Sequence, residues 1–406
     1  MKKSKKYLIG PFKQIVTFED TTSKGSLQEV DMQVTSGWIA IDEGIILDIG
    51  TESELKSKYE IEETQVLEGD HVVLPGYIDC HTHICFAGSR AKDYAMRNAG
   101  MSYLDIAKAG GGIWDSVTHT REATLKELTA GVKLRADKLF KRGVTTIEVK
   151  SGYGLTVDEE IKMLKAIKSA GKKAKSELIP TCLAAHIKPK DYLGSHAQYL
   201  ELMAKELFPK LKANDLCTRI DAFIEEEAFS GEVVKSYFEA AKFMGFDITV
   251  HADQFHPGGT EVAIHHGALS ADHLEASGPA EIEMIAKSDV VAVALPGASI
   301  GIGCDFTPAR KILDAGGSLA IASDWNPGSA PMGNLVAQAA ILGTFQKLTN
   351  AEVLAGITFR AAAALNLKDR GRIMKGMKAH LVIYKTKSFN EILYHQGELN
   401  PVKVIN

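Results

Sequence analysis

Eight short apolar runs recur along the middle of the chain, each followed by sequence that suits a helix, and this alternation restricts the folds open to it. The runs are "GYIDCHTHI", "VTTIEVKSG", "ELIPTCLAAHI", "RIDAFIEE", "FDITVHADQ", "ALSADHLE", "DVVAVALPG" and "SLAIASDWN". Stretches such as "TLKELTAGVKLRADKLFKRG" and "VDEEIKMLKAIKSAGKKA" separate them with helical spacing. Strands alternating with helices build parallel sheets, and eight such units close into a (β/α)8 barrel, an α/β fold. A doubly wound open sheet is the competing layout. The placement of the polar residues favours the barrel.

Those residues fall at the C-terminal ends of the runs. His81 and His83 end the first, Lys150 the second, His186 the third and Glu225 the fourth. His251 ends the fifth, His273 the sixth and Asp324 the eighth. In a barrel these ends converge on one face, where barrel active sites are built. Strand alternation puts His81 and His83 on the same side. A lone histidine there would more often be a packing or hydrogen-bonding residue. Five of the protein's 13 histidines at one rim point to a site.

The flanks have a different texture. "YLIGPFKQIVTF", "WIAIDEGIILDIG" and "TQVLEGDHVVLPG" near the start read as short strands with turns. "GRIMKGMKAHLVIYKTKS" and "EILYHQGELNPVKVIN" near the end read the same way. The expected organisation is therefore a barrel over residues 74–370. A small composite β-sandwich made from residues 1–73 and 371–406 would sit beside it.

Bulk properties narrow the function classes. The 406 residues are 45% apolar and 24% charged, which is the balance of a soluble globular protein. A net charge of −4 argues against a nucleic-acid footprint. The basic start "MKKSKK" is followed by an apolar stretch broken at Pro11 and Lys13, so no signal peptide is expected. No uncharged apolar run reaches the length of a membrane span. Cys80, Cys85, Cys182, Cys217 and Cys304 are scattered and odd in number, which fits reduced thiols and a cytoplasmic enzyme.

His81, His83, His251 and Asp324 form a donor set suited to one zinc or iron(II) ion with an open position for water. A bound divalent metal lowers the pKa of water from about 15.7 to about 7. That is worth on the order of 12 kcal/mol toward making hydroxide at neutral pH. Hydrolysis is the natural expectation. His273 is placed by strand order to orient or deprotonate that water, and Asp324 to carry its proton to the leaving group. Alone, His273 would be read as a structural hydrogen-bonding residue. Lys150 raises the idea of a carboxylated lysine bridging two metals. It ends the second strand rather than the fourth, so one metal is the stronger expectation.

Three loops supply further groups. Arg90, in a Gly-Ser-Arg loop past the histidines, can grip an anionic substrate. Tyr153 sits among glycines in "KSGYGL". "DWNPGSAP" offers Asn326, Gly328 and Ser329 beyond Asp324, in what is also a plain Asn-Pro-Gly turn. Gly110 to Gly112 lack the context of a phosphate loop and read as a flexible lid or turn.

"PGYIDCHTH" resembles the opening metal motif of the amidohydrolase superfamily. "FAGSRAKDYAMRNAG", "AGGGIWDSVTHTR", "EVKSGYGL", "AAHIKP", "HADQFHPGGTE", "GALSADHLE" and "ASDWNPGSAP" together are similar to its imidazolonepropionase family. The likeness runs from about residue 70 to 370, and "ILYHQGELN" echoes it in the tail. The resemblance implies hydrolysis of 4-imidazolone-5-propanoate to N-formimidoyl-L-glutamate, the third step of histidine degradation. It implies one zinc or iron on His81, His83, His251 and Asp324. Arg90, Tyr153 and His186 would bind the anionic imidazolone substrate, with Gln254, Asn326, Gly328 and Ser329 completing the pocket. No nucleic-acid or membrane partner is implied, and relatives suggest a homodimer.

Two positions depart from the family pattern. Gln254 stands where many members carry glutamate, and an amide cannot take a proton, which leaves proton transfer to His273 or Asp324. His380 replaces a usual aspartate in "KAHLVIY", a position that bears on stability. A deaminase or another cyclic-amide hydrolase is the alternative enzyme. A neutral nucleobase would leave Arg90 unpaired at a cost of about 1–3 kcal/mol. A barrel kept only for binding would be expected to lack a metal ligand, and all four are present.

Overall fold

The computed structural model describes residues 5–101, 105–106 and 109–406. Two sheets organise it. The strands of the first come from both ends of the chain: β1 (Tyr7–Val16), β2 (Val34–Asp42), β3 (Ile45–Gly50), β4 (Glu63–Val66) and β5 (Val72–Pro75), then β14 (Leu381–Tyr384) and β15 (Lys403–Ile405). The second is β6 (Tyr77–Asp79), β7 (Val144–Lys150), β8 (Glu177–Ala185), β9 (Arg219–Phe223), β10 (Asp247–Ala252), β11 (Ser270–His273), β12 (Val291–Ala294) and β13 (Leu319–Ile321). Its eight strands pair in sequence order and all in parallel.

The barrel closes just beyond the strand ends. Thr82 and Trp325 form a parallel bridge, Asp324 N–H donates to His81 C=O over 3.1 Å, and His83 N–H donates to Trp325 C=O over 3.0 Å. The seam that joins β6 to β13 is therefore made of the segments carrying three of the expected ligands. The strand-to-sheet switch occurs at Gly76, after β5 has paired with β14 and before β6 pairs with β7.

Crossover helices form where capping and apolar spacing agree. In Leu125–Lys141, Thr124 and Glu127 make a reciprocal capping box, while Leu128, Val132, Ala136 and Leu139 are buried along one face. The terminal sheet is continuous. β1 pairs with β4 through Tyr7–Gly10 and with β5 through Gln14–Ile15, and its pairing with β2 on the other side shifts register between Ile9 and Ile15, so it serves as the common strand of both halves.

The tail differs from its strand-like expectation. Asn390–Tyr394 is helical, because Phe389, Ile392 and Leu393 are buried at helical spacing. Residues 371–377 run as loop and turns. From this end β14 and β15 extend the sheet, and Lys378 adds an isolated antiparallel bridge to Ile45 of β3. Among the described residues no helix is long and apolar enough to cross a membrane.

The interior of the barrel is uneven. Ile78, Cys80, Val291, Val293, Ala320 and Ala322 make an apolar cluster on the β6, β12 and β13 side. The other arc buries Glu148, Lys150, Asp221, Thr249 and Asp272. The histidines stand on this polar arc.

Candidate metal centre

Three imidazoles meet at the mouth of the polar arc. His81 Nε2 and His83 Nε2 are 3.2 Å apart, as are His83 Nε2 and His251 Nε2. Asp324 Oδ1 lies 3.6 Å from the first and 3.4 Å from the second. All four residues are buried. Two donors each about 2.0–2.1 Å from a tetrahedral zinc stand roughly 3.3–3.4 Å apart. The three histidines, whose ligand atoms all lie within 4.8 Å of one another, thus have the spacing of ligands around one ion, with Asp324 beside His81 and His83.

Proton positions make the same case. His81 Nδ1 faces Asp272 Oδ2 at 2.6 Å, which fixes that nitrogen as the donor and leaves Nε2 as a lone pair. His251 Nδ1 lies 3.0 Å from Asp221 Oδ2, at ion-pair distance though not aligned as a hydrogen bond. Burial holds His81, His83 and His251 well below the usual imidazole range, so all three are neutral. Neutral imidazoles aiming lone pairs at one point repel unless a cation sits there. Burial also pushes Asp324 up to about 6, the mark of a carboxylate short of a counter-charge. The donor set fits a divalent metal.

His273 reaches this group by breaking strand alternation. Asp272 already points inward from β11, and a regular strand would turn the next side chain away. His273 and Leu274 instead take left-handed backbone, with φ of 88° and 69°. The His273 ring then stands 5.8 Å from His81 and 5.4 Å from His251, centroid to centroid. Burial works against its protonation, but the Glu275 carboxylate 3.4 Å away raises it above the ordinary range.

His186 donates from Nδ1 to Gly152 C=O over 2.9 Å and stacks on His83 at 5.6 Å. Burial lowers it to about 4, so it is neutral and its Nε2 is an acceptor. Tyr153, raised by burial, lies 5.6 Å from His186. The Arg90 charge acts on both. Arg90 Nε donates to Asp93 Oδ2 over 2.8 Å, and the same oxygen accepts Gly112 N–H over 2.8 Å. The stretch Gly110–Gly112, expected as a lid or turn, is a turn braced against Asp93.

The "DWNPGS" loop is largely self-satisfied. Asn326 Oδ1 accepts Gly328 N–H at 2.7 Å and Ser329 N–H at 2.9 Å, while Nδ2 donates to Asp324 Oδ2 at 2.9 Å. The Asn326 amide is thus committed to shaping the turn and orienting Asp324. Gly328 lies under Arg90, since a Cβ there would stand 2.7 Å from Arg90 Cζ. Gln254 is half-buried in the loop after β10 and makes no side-chain hydrogen bond among the described residues. That loop is pinned by Asp253, which accepts from Gly258 N–H, Thr260 N–H and Ser277 Oγ. It is pinned also by Glu225, which accepts Phe255 N–H at 3.0 Å.

Sequence reasoning passed over Asp221, Asp272, Glu275 and Asp93. A signal existed for the first two. An aspartate inside a short apolar strand run is rarely left unpaired, and "RIDAF" and "SAD" each contain one.

Comparison with known proteins agrees with this geometry. The Amidohydrolase family model matches residues 72–405. The imidazolonepropionase of Paracoccus denitrificans (strain Pd 1222) is 40% identical over 391 residues, 96% of each chain. That of Alkaliphilus oremlandii (strain OhILAs) is 38% identical over 376 residues, covering 91% of this chain and 89% of its own. The chain belongs to the imidazolonepropionase family of amidohydrolases. It is a hydrolase. Among solved structures, an adenosine deaminase from Xanthomonas campestris with bound zinc superposes with a TM-score of 0.71 at 17% identity, over 98% of this chain and 91% of that one. A Xaa-Pro dipeptidase with bound methionine gives 0.70 at 19% identity, over 99% and 98%. Both share the fold.

Proposed function

We propose that the chain hydrolyses 4-imidazolone-5-propanoate to N-formimidoyl-L-glutamate in the cytoplasm, using one zinc or iron ion held by His81, His83, His251 and Asp324. The observation that carries the proposal is the convergence of three neutral imidazole nitrogens and one carboxylate oxygen, with neighbouring pairs 3.2 to 3.6 Å apart. Relatives that are 38–40% identical over at least nine-tenths of the chain bear the imidazolonepropionase name, which supports the choice of substrate.

When bound, the metal supplies Lewis acidity that makes water acidic enough to attack an amide at neutral pH. The chain's own residues do the rest. Arg90 binds the propionate, anchored by Asp93 so that its guanidinium arrives in one orientation. Tyr153 and His186 line the ring, with His186 Nε2 accepting from a ring N–H. His273, its protonated form favoured by Glu275, orients the attacking water and stabilises negative charge on the ring oxygen. Asp324 takes the water proton and returns it. The water oxygen bonds to the ring carbonyl carbon, the carbon–nitrogen bond of the ring amide breaks, and the proton passes to the released nitrogen. Gln254 can donate a hydrogen bond to the substrate and takes no proton.

Purified protein should carry about one equivalent of zinc or iron and should discharge the ultraviolet absorbance of the imidazolone in catalytic amounts. His251→Ala should lose both metal and turnover. Metal-free protein with full activity overturns the reading. Arg90→Ala should raise KM for the propionate substrate far more than for an analogue without the carboxylate.

A further inference from the structure

Lys150 has no part in the chemistry described so far. It ends β7, is 1% exposed and faces the polar arc of the barrel. Its Nζ lies 2.8 Å from Asp221 Oδ2, 2.9 Å from Glu148 Oε1 and 3.7 Å from Asp272 Oδ2. Those two aspartate oxygens are the same atoms that face the histidines, Asp272 Oδ2 toward His81 Nδ1 and Asp221 Oδ2 toward His251 Nδ1. The other oxygen of each aspartate, Oδ1, is buried without a hydrogen-bond partner. Asp221 Oδ2 is therefore shared between His251 and Lys150, and Asp272 Oδ2 between His81, Lys150 and the hydroxyl of Thr249, which donates to it over 3.2 Å.

An imidazole ligand is oriented by whatever its second nitrogen meets. Here the second nitrogens of ligands from β6 and β10 meet carboxylates whose common cation is a single ammonium. Without that cation, three carboxylates would be crowded together out of water, and buried charges left unpaired are strongly destabilising. A carboxylated lysine is disfavoured by the same contacts, because a carbamate would add a fourth anion among Glu148, Asp221 and Asp272.

We propose that Lys150 is a positioning residue for the metal centre: its ammonium holds Asp221 and Asp272 in place, and through them keeps the Nε2 atoms of His81 and His251 aimed at one point. This rests on the metal-centre reading above. It assigns Lys150 a role in metal affinity that a cation merely neutralising the barrel interior would not have.

The test is a mutant cycle on zinc affinity, measured with metal-free full-length protein against a chromogenic chelator. Lys150→Met should weaken zinc binding by tenfold or more, within the range expected for groups that orient ligands. Its cobalt(II)-loaded form should show a visible absorption spectrum shifted from that of the parent. In a D221N/D272N background, where the ammonium keeps Glu148 but has lost the two carboxylates that face the histidines, adding K150M should change zinc affinity by less than about twofold. Unchanged affinity and spectrum in K150M overturn the proposal. So does a full K150M loss repeated in the D221N/D272N background, since that would mark a general role in the core. If K150M does not fold by circular dichroism, the near-isosteric K150Q takes its place in the same cycle. Parent protein that binds no zinc or iron refutes the metal centre itself, whereas parent binding with an indifferent Lys150 refutes only this inference.

Discussion

Gly328→Ala should separate substrate anchoring from metal chemistry. A Cβ at position 328 would stand 2.7 Å from Arg90 Cζ, with Nη1 closer still. Ordinary contacts between non-bonded heavy atoms are about 3.5–4.0 Å, so the guanidinium must retreat by roughly 1 Å. It cannot do so freely, because Nε is tied to Asp93 at 2.8 Å and Asp93 is tied to Gly112 N–H at 2.8 Å. Gly328 has no left-handed φ, so alanine is accommodated by the backbone itself. The expected damage is loss of the charged hydrogen bonds to the propionate, worth about 1.5–3 kcal/mol. At about 1.36 kcal/mol per factor of ten, that is roughly a 10- to 150-fold drop in kcat/KM. Steady-state decay of the imidazolone absorbance gives the number, run beside an analogue carrying methyl in place of propionate. The drop should be carried by KM and confined to the propionate substrate, with metal content unchanged. The double variant G328A/R90A should be no worse than R90A. Equal losses on both substrates, or no loss where R90A has one, would refute Arg90 as the clamp positioned over Gly328.

Gly301→Ala should disturb the same loop from behind, since a Cβ there would lie 2.8 Å from the Ser329 carbonyl carbon and closer to its oxygen; kcat and thermal midpoint should both fall, and a variant matching the parent in both would contradict the packing. His380 is buried and lowered to about 4, first by desolvation and then by Arg370 and Lys378. A depressed imidazole gives its full stability above the unfolded value of about 6.5 and loses it as pH falls toward 4, so metal-free His380→Gln should show a flatter midpoint over that window. The difference is at most roughly 3 kcal/mol, and parallel pH curves would exclude it. Zinc binding should release more protons at pH 5 than near pH 6.5, before a metal-activated water ionises in turn, because Asp324 titrates near 6 without metal whereas His81, His83 and His251 are already neutral. Calorimetry in buffers of different ionisation enthalpy measures this, and a pH-independent release would mean that Asp324 is not the titrating ligand.

The barrel was legible because its strands are buried on both faces. β7 is apolar or buried at every position, and turn or helix signals bracket each run. The site was legible because polar side chains were spent at strand ends, where an apolar core has no use for them. What escaped were groups whose meaning depends on a partner far away in the chain. Asp272 and His81 are 191 residues apart. Arg97 sits two helical turns after Arg90 and donates to Gly328 C=O over 3.3 Å, a contact across 231 residues. His273 escaped the alternation rule because two non-glycine residues in a row adopt left-handed backbone, which no local preference encodes. The tail helix escaped because Ile392 and Leu393 satisfy a strand run as well as a helical face until Phe389 is counted.

The charge inventory of the barrel interior bears on the metal independently of ligand distances. Two buried cations, Lys150 and Arg219, face four buried carboxylates, Glu148, Asp221, Asp272 and Asp324. His273 faces Glu275, which favours its protonated form, and Asp79, raised to about 7 by burial, is held by Ser323 on the apolar side. With the other histidines neutral, the polar arc keeps two negative charges without partners. Unpaired buried ions cost several kcal/mol each. A pocket shaped only to bind an anionic substrate would be built the other way, with positive charge in excess. One divalent cation at the meeting point of His81, His83, His251 and Asp324 cancels the excess, whereas a second would overshoot it by two. Charge balance and ligand spacing thus both suit a single ion at this point.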